Sequence, residues 1–192
     1  ENSKSDKPFR TWVEDNADYI CYIHDCYIGI AKSKLYGDKE KVFLDFVLVE
    51  TKDSKHPVFL KRYKLPTFLG EKSSKFKELV DAITKNNEEV GKEFGKYLNC
   101  QFTEYTKPTA ENPYIRNVDT EAFISKIKNI PIKVLTGDHW ETNDGASFAT
   151  IKSLMPCKFD KKKLDKYIAD NKDRWNENIT AFSTPPEEKL EF

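Results

Sequence analysis

The chain has 192 residues, enough for one domain with a small second lobe. Its hydrophobic share is 38%, yet thirteen Phe, nine Tyr and three Trp supply the surfaces of a core and exclude wholesale disorder, while seven Gly and nine Pro exclude collagen-like and linker-like chains. The basic and acidic side chains, 32 of each, cancel, which argues against a protein that coats phosphate over its whole surface.

Residues 1–17 read as a polar N-terminal arm, with Phe9 and Trp12 as its docking rings. Asp18 to Ala31, rich in Tyr, Ile and Cys, predicts a long strand with a bend at Gly29. A charged connection with Gly37 and Asp38 at its tip leads to a second strand, Val42 to Thr51. Val58 to Leu65 predicts a third, completing a β-meander. Then the period changes. Phe76, Leu79, Val80 and Ile83 recur at three- and four-residue steps behind Ser73 and Ser74, so Ser74 to Lys85 reads as an amphipathic helix.

Glu88 to Gly95 reads as a polar connection or short helix, and Lys96 to Lys107 returns to strand-like alternation. A loop over KPTAENP follows, with a short strand within Asn112 to Val118 and a helix over Thr120 to Ile127. Pro131 to Thr136 and Ala146 to Leu154 are two more strands, joined by the loop GDHWETNDG. Phe159 to Asp170 is a charged helix with Leu164, Tyr167 and Ile168 as its apolar stripe, and Ser183-Thr184-Pro185-Pro186 breaks regular structure.

Charge is unevenly spread: Lys32 to Lys77 holds twelve Lys or Arg against six Asp or Glu, between two acidic ends. No run approaches the roughly 18 apolar residues of a membrane span, so no membrane partner is expected. Cys21, Cys26, Cys100 and Cys157 show no paired CxxC spacing and fit buried thiols of a reducing, cytoplasmic compartment. The chain opens on Glu1 rather than Met, so a removed leader with two disulfides is the alternative.

Cys21, His24 and Cys26 resemble a metal cluster only as a string. Side-chain alternation on a strand sets Cys21 opposite His24 and Cys26, and no second Cys or His cluster completes a site, so no metal is expected. No nucleophile elbow and no phosphate-cradling glycine motif is present, so neither an enzyme nor a cofactor is expected. Asp138, His139, Glu141 and Asp144 would suit a divalent ion in a nuclease, but they share one glycine-bounded loop, which a solvated loop explains better.

Binding signals are stronger. Single strands are held by cations along the phosphates and rings under the bases. The third strand interleaves the two types as Phe59, Lys61, Arg62, Tyr63 and Lys64, with Phe59, Lys61 and Tyr63 on one face. Lys32 and Lys34 add charge, and Tyr22 and Trp140 add rings. A meander, a helix and further strands form the layout of an OB-type barrel, whose second and third strands present the nucleic-acid face. The end of the chain carries Glu187, Glu188, Glu191 and Phe192, an acidic epitope with a terminal ring.

The chain resembles phage-encoded single-stranded DNA-binding proteins of the OB-fold class. The resemblance runs through VFLDFVLVE, SSKFKELVDAI, GKYLNCQF, NPYIRNV, PIKVL, ASFATIKSLMP and EEKLEF, and covers roughly residues 18–160 in pattern. It implies cooperative or homodimeric coating of single strands in DNA replication and recombination in the host cytoplasm, with the tail recruiting replisome proteins. The expected fold is α+β and mostly β: an OB-like five-stranded barrel over residues 18–160, with a helix inserted after strand three. A C-terminal helix over 161–182 and an acidic tail over 183–192 complete it. The competing expectation is a protein-binding module, such as an inhibitor of a host enzyme carried by a phage or mobile element, whose rings form an interface hot spot.

Overall fold

The computed structural model describes residues 13–49, 58–68, 75–86, 88–94, 106–141, 143, 147–172 and 180–182. Strand β1 (Asp18–Ala31) turns into β2 (Lys39–Leu48), and β2 pairs with β3 (Val58–Pro66). Helices α1 (Lys75–Thr84), α2 (Glu88–Phe94) and α3 (Thr120–Ile124) follow. Strand β4 (Pro131–Thr136) returns to β1, β5 (Trp140–Glu141) and β6 (Ser147–Phe148) form a small hairpin, and β7 (Ile151–Met155) pairs with β4. Helix α4 (Lys161–Asn171) and strand β8 (Thr180–Phe182) complete the order.

The fold is α+β and mostly β. Its main sheet has the order β7-β4-β1-β2-β3-β8, antiparallel from β7 to β3, with β8 added parallel to β3. The meander, the inserted helix and the returning strands stand where the sequence places them, but the sheet does not close into the expected five-stranded barrel. Helix α1 supplies the physical reason. Its Glu78 Oε1 accepts the Leu154 N–H at 2.9 Å, and its Lys75 Nζ donates to the Lys152 carbonyl at 2.7 Å. Backbone groups on the edge of β7 are thereby satisfied by side chains rather than by another strand. The opposite edge, on β3, is taken by β8. The expected C-terminal helix over 161–182 ends at Asn171, and Thr180–Phe182 is strand instead.

One face of the sheet carries the main core. Cys21, Ile23, Leu44, Phe46, Leu60, Tyr63 and Leu65 meet Phe76, Leu79, Val80 and Ile83 of α1, the residues whose spacing predicts that helix. Each such side chain contributes about 1.5–3 kcal/mol on burial. Phe123 of α3 receives Phe76 and Phe94 edge-on at 5.7 and 5.8 Å, so the three helices share one aromatic knot. Arg116 pairs with Glu40 and Glu121, fastening the segment before α3 to the turn end of the β1–β2 hairpin.

The other face is covered only at one end among the described residues. There Leu164, Tyr167 and Ile168 of α4 pack on Tyr22, Val47 and Phe59. Asp160 caps the helix by accepting the N–H groups of Lys162 and Lys163. The predicted apolar stripe of α4 is the surface that packs.

Residues 13–17 dock beside β4: Val13 is buried, and Ala17 exchanges hydrogen bonds with Thr136. Phe9 and Trp12 lie outside the described residues, as does most of the strand expected over Lys96 to Lys107. Cys21, Cys26 and Cys157 are buried, whereas Cys100 is outside the described residues. No helix among the described residues is long and apolar enough to cross a membrane.

Candidate nucleic-acid interface

Two bulges determine which side chains face out. On β1 the register shifts between Ile23 and Asp25, and on the β2–β3 ladder it shifts between Leu44 and Phe46. Asp45 lies at both. Its Oδ1 accepts the Arg62 N–H at 2.8 Å, and Arg62 takes the left-handed conformation with φ 62°. An extra residue on β3 at this point reverses the phase of everything after it. Phe59, Lys61 and Lys64 therefore share the outer face, while Leu60, Tyr63 and Leu65 enter the core.

The expectation that Phe59, Lys61 and Tyr63 line one open face is thus corrected. Tyr63 is buried against Phe46, with ring centroids 6.1 Å apart, and its hydroxyl has no hydrogen-bond partner among the described residues. Tyr22 and Phe59 do lie on the outer face, but α4 covers them. None of the three rings leaves a face open to a base. The bulge on β1 makes a similar correction. Cys21 and Cys26 both enter the core, and only His24 turns outward, edge-on to Phe59 at 5.3 Å.

The outer face has five rows. Phe59, Val47 and Tyr22 form the covered row. Lys61 and Arg62 come next, with Asp45, then His24 and Asp25. Asp25 and Asp45 are directly opposed, and Lys128 offsets the repulsion with Nζ 3.1 Å from the Asp25 carboxylate. The third row is Lys64, Phe43 and Tyr27. Here the Tyr27 and Phe43 rings stack at 5.3 Å and 10°. The fourth is Pro66, Lys41 and Gly29, and the fifth pairs Lys39 with Ala31.

Gly29 suits this stack, because a Cβ there would stand 3.0 Å from the Phe43 ring and push it aside. Tyr27 remains 41% exposed while Phe43 is buried beneath it. Lys39, Lys41 and Lys64 cluster beside the rings. Burial lowers the Lys41 pKa from its ordinary value, and the charges of Lys39 and Lys64 lower it further. None of the three has a carboxylate within ion-pair distance among the described residues. Such a cluster gains by taking up an anion. Lys61 holds its Nζ 5.1 Å over the Phe59 ring.

Lys32 and Lys34 sit at the exposed turn of the β1–β2 hairpin, continuous with Lys39. The backbone of Trp140 starts β5, beyond the opposite end of β1, which at strand rise is roughly 45 Å long. The structure therefore brings Lys32, Lys34, Lys61, Arg62 and Lys64 to the open part of the face and leaves Trp140 apart from it. Glu187, Glu188, Glu191 and Phe192 lie outside the described residues.

The Asp138 and His139 pair is engaged with the N-terminal segment. Asn16 donates to Asp138 at 2.8 Å, and the His139 ring meets the Asp15 carboxylate, which also accepts the His139 N–H at 3.0 Å. Among the described residues, no group of three His, Cys, Asp or Glu side chains is placed to hold a metal ion.

Sequence reasoning missed Tyr27, Phe43, Lys39 and Lys41. The signal for them was alternation on the second strand, where Lys39, Lys41 and Phe43 share a face, together with a glycine two residues after Tyr27. The chain matches no protein-family model, no curated protein and no solved structure.

Proposed function

We propose that the chain binds single-stranded DNA without sequence preference, on the outer face of β1, β2 and β3. One observation carries this reading: three lysines without carboxylate partners among the described residues adjoin an aromatic pair whose upper ring is open. Phosphates lie along Lys39, Lys41 and Lys64, with Lys61 and Arg62 extending the track and Lys32 and Lys34 receiving the strand at the hairpin. Tyr27, backed by Phe43, offers the stacking face, a sequence-tolerant contact because every base has one.

The order of meander, helix and two returning strands supports an OB-like reading, with α1 at the seam where such a barrel closes. In this reading the protein serves phage DNA replication and recombination in the host cytoplasm. Its acidic segment with Glu187, Glu188, Glu191 and Phe192 recruits replication proteins.

Fluorescence anisotropy with a labelled oligo-dT at low salt tests the site. Tyr27→Ala should weaken binding by about 5- to 150-fold, the equivalent of 1–3 kcal/mol for one stacked base. Unchanged affinity in that variant removes Tyr27 from the site.

A second reading has its own support. Leu35 and Tyr36 at the hairpin tip are 74% and 75% exposed, and Phe68, Ile115 and Val118 are exposed as well. Of these, Leu35, Ile115 and Val118 are aliphatic and suit a protein partner better than a base. Absence of oligo-dT binding at low salt favours that protein-binding module.

A further inference from the structure

Strand β1 is paired on both sides for only part of its length. Strand β4 reaches Asp18 to Tyr22, and Ile23 still exchanges bonds with Ile130 and Asn129 at 3.1 and 2.8 Å. Past the bulge, Cys26 to Ala31 pair with β2 alone among the described residues. Alternation along the ladder turns the backbone groups of Cys26, Ile28 and Ile30 away from β2. In keeping with this, the Cys26 N–H bonds to the Asp25 carboxylate at 2.9 Å. Sheet edges are ordinarily protected by lysine, proline or another charge, and the run Cys-Tyr-Ile-Gly-Ile-Ala has none.

We propose that this edge pairs antiparallel with the same edge of a second copy, about a two-fold axis at Ile28. Two features select a second copy over a foreign strand. The outward-turned set is symmetric, so Ile28 meets its equivalent and Cys26 meets Ile30 of the second copy, completing the ladder with no orphan. At the ends, Asp25 comes opposite Ala31 and beside Lys32 of the second copy, so unlike charges meet and no like charges are directly opposed. Ile30, on the opposite face from the Tyr27 ring and 43% exposed, is the side chain that pairing would cover. The pairing requires no nucleic acid.

Sedimentation of the full chain at roughly 100 μM, without DNA, should give a species of twice the 22.4 kDa chain mass. Ile30→Lys should raise the dimer dissociation constant at least about tenfold through an unpaired charge in the ladder, with circular dichroism unchanged. Ile30→Cys tests the register. Directly opposed Cα atoms stand about 5.5 Å apart, within disulfide reach, so this variant should cross-link to Cys26 of the second copy. Added diamide takes up the two electrons and two protons released. A monomeric wild type at this concentration overturns the proposal, as does a dimer that Ile30→Lys leaves intact. Failure of Ile30→Cys to cross-link overturns the register.

Discussion

Tyr63→Phe separates a core residue from a ligand residue at one position. The Tyr63 ring is packed in the main core, and burial pushes its phenol well above the ordinary pKa, with the charge of Glu78 adding to the effect. The hydroxyl therefore keeps its proton and still lacks a hydrogen-bond partner among the described residues. A buried unpartnered hydroxyl costs about 1–3 kcal/mol in lost solvation. Removing it while keeping the ring should stabilise the fold by about 1 kcal/mol, or roughly 2–4 °C in Tm for a chain of this size. Urea unfolding should show a higher midpoint with an unchanged slope. Tyr63→Ala, which empties the site, should instead cost about 3–5 kcal/mol. Oligo-dT affinity should be the same for Tyr63→Phe and wild type. A loss of stability in Tyr63→Phe refutes the unpartnered hydroxyl, and weakened DNA binding by the folded variant refutes the core assignment.

Two further outcomes follow from the outer face. Burial lowers the His24 pKa, outweighing the opposing pull of Asp25 and Asp45. The unfolded chain therefore takes up this proton first, near pH 6.5, and stability should fall as pH drops below about 6.5. His24→Gln should flatten that slope in urea melts between pH 7 and 5; an unchanged slope assigns the effect to other groups. Asp160→Ala should cost about 1 kcal/mol by removing the α4 cap. Hydrogen exchange should then speed up in the first turn of α4, and unaltered exchange there would contradict the capping role.

The elements were largely legible because each has one dominant period. The three-strand meander, α1 with its Phe76, Leu79, Val80 and Ile83 stripe, and α4 with Leu164, Tyr167 and Ile168 all stand in the structure. The faces were less legible. Strand alternation holds only while the register is regular, and the bulges at Asp25 and Asp45 each insert a residue that no composition signal marks. Tyr63 consequently moved from the expected ligand face to the core, and Cys21 came to share a face with Cys26. Burial of Tyr22 and Phe59 depends on where α4 lands, a long-range contact invisible to local pattern. Closure was likewise out of reach, since it depends on Glu78 and Lys75 of α1 meeting the edge of β7.

The salt dependence of oligo-dT affinity tests the proposed lysine track most directly. If Lys39, Lys41, Lys61, Arg62 and Lys64 each neutralise one phosphate, log affinity should fall against log salt with a slope of about −3.5, at about −0.7 per contact. The double substitution Lys41→Gln with Lys64→Gln should bring the slope to about −2.1 while the protein stays folded. Undetectable binding at low salt, or a double variant with the wild-type slope, would contradict the assignment of this face to single-stranded DNA.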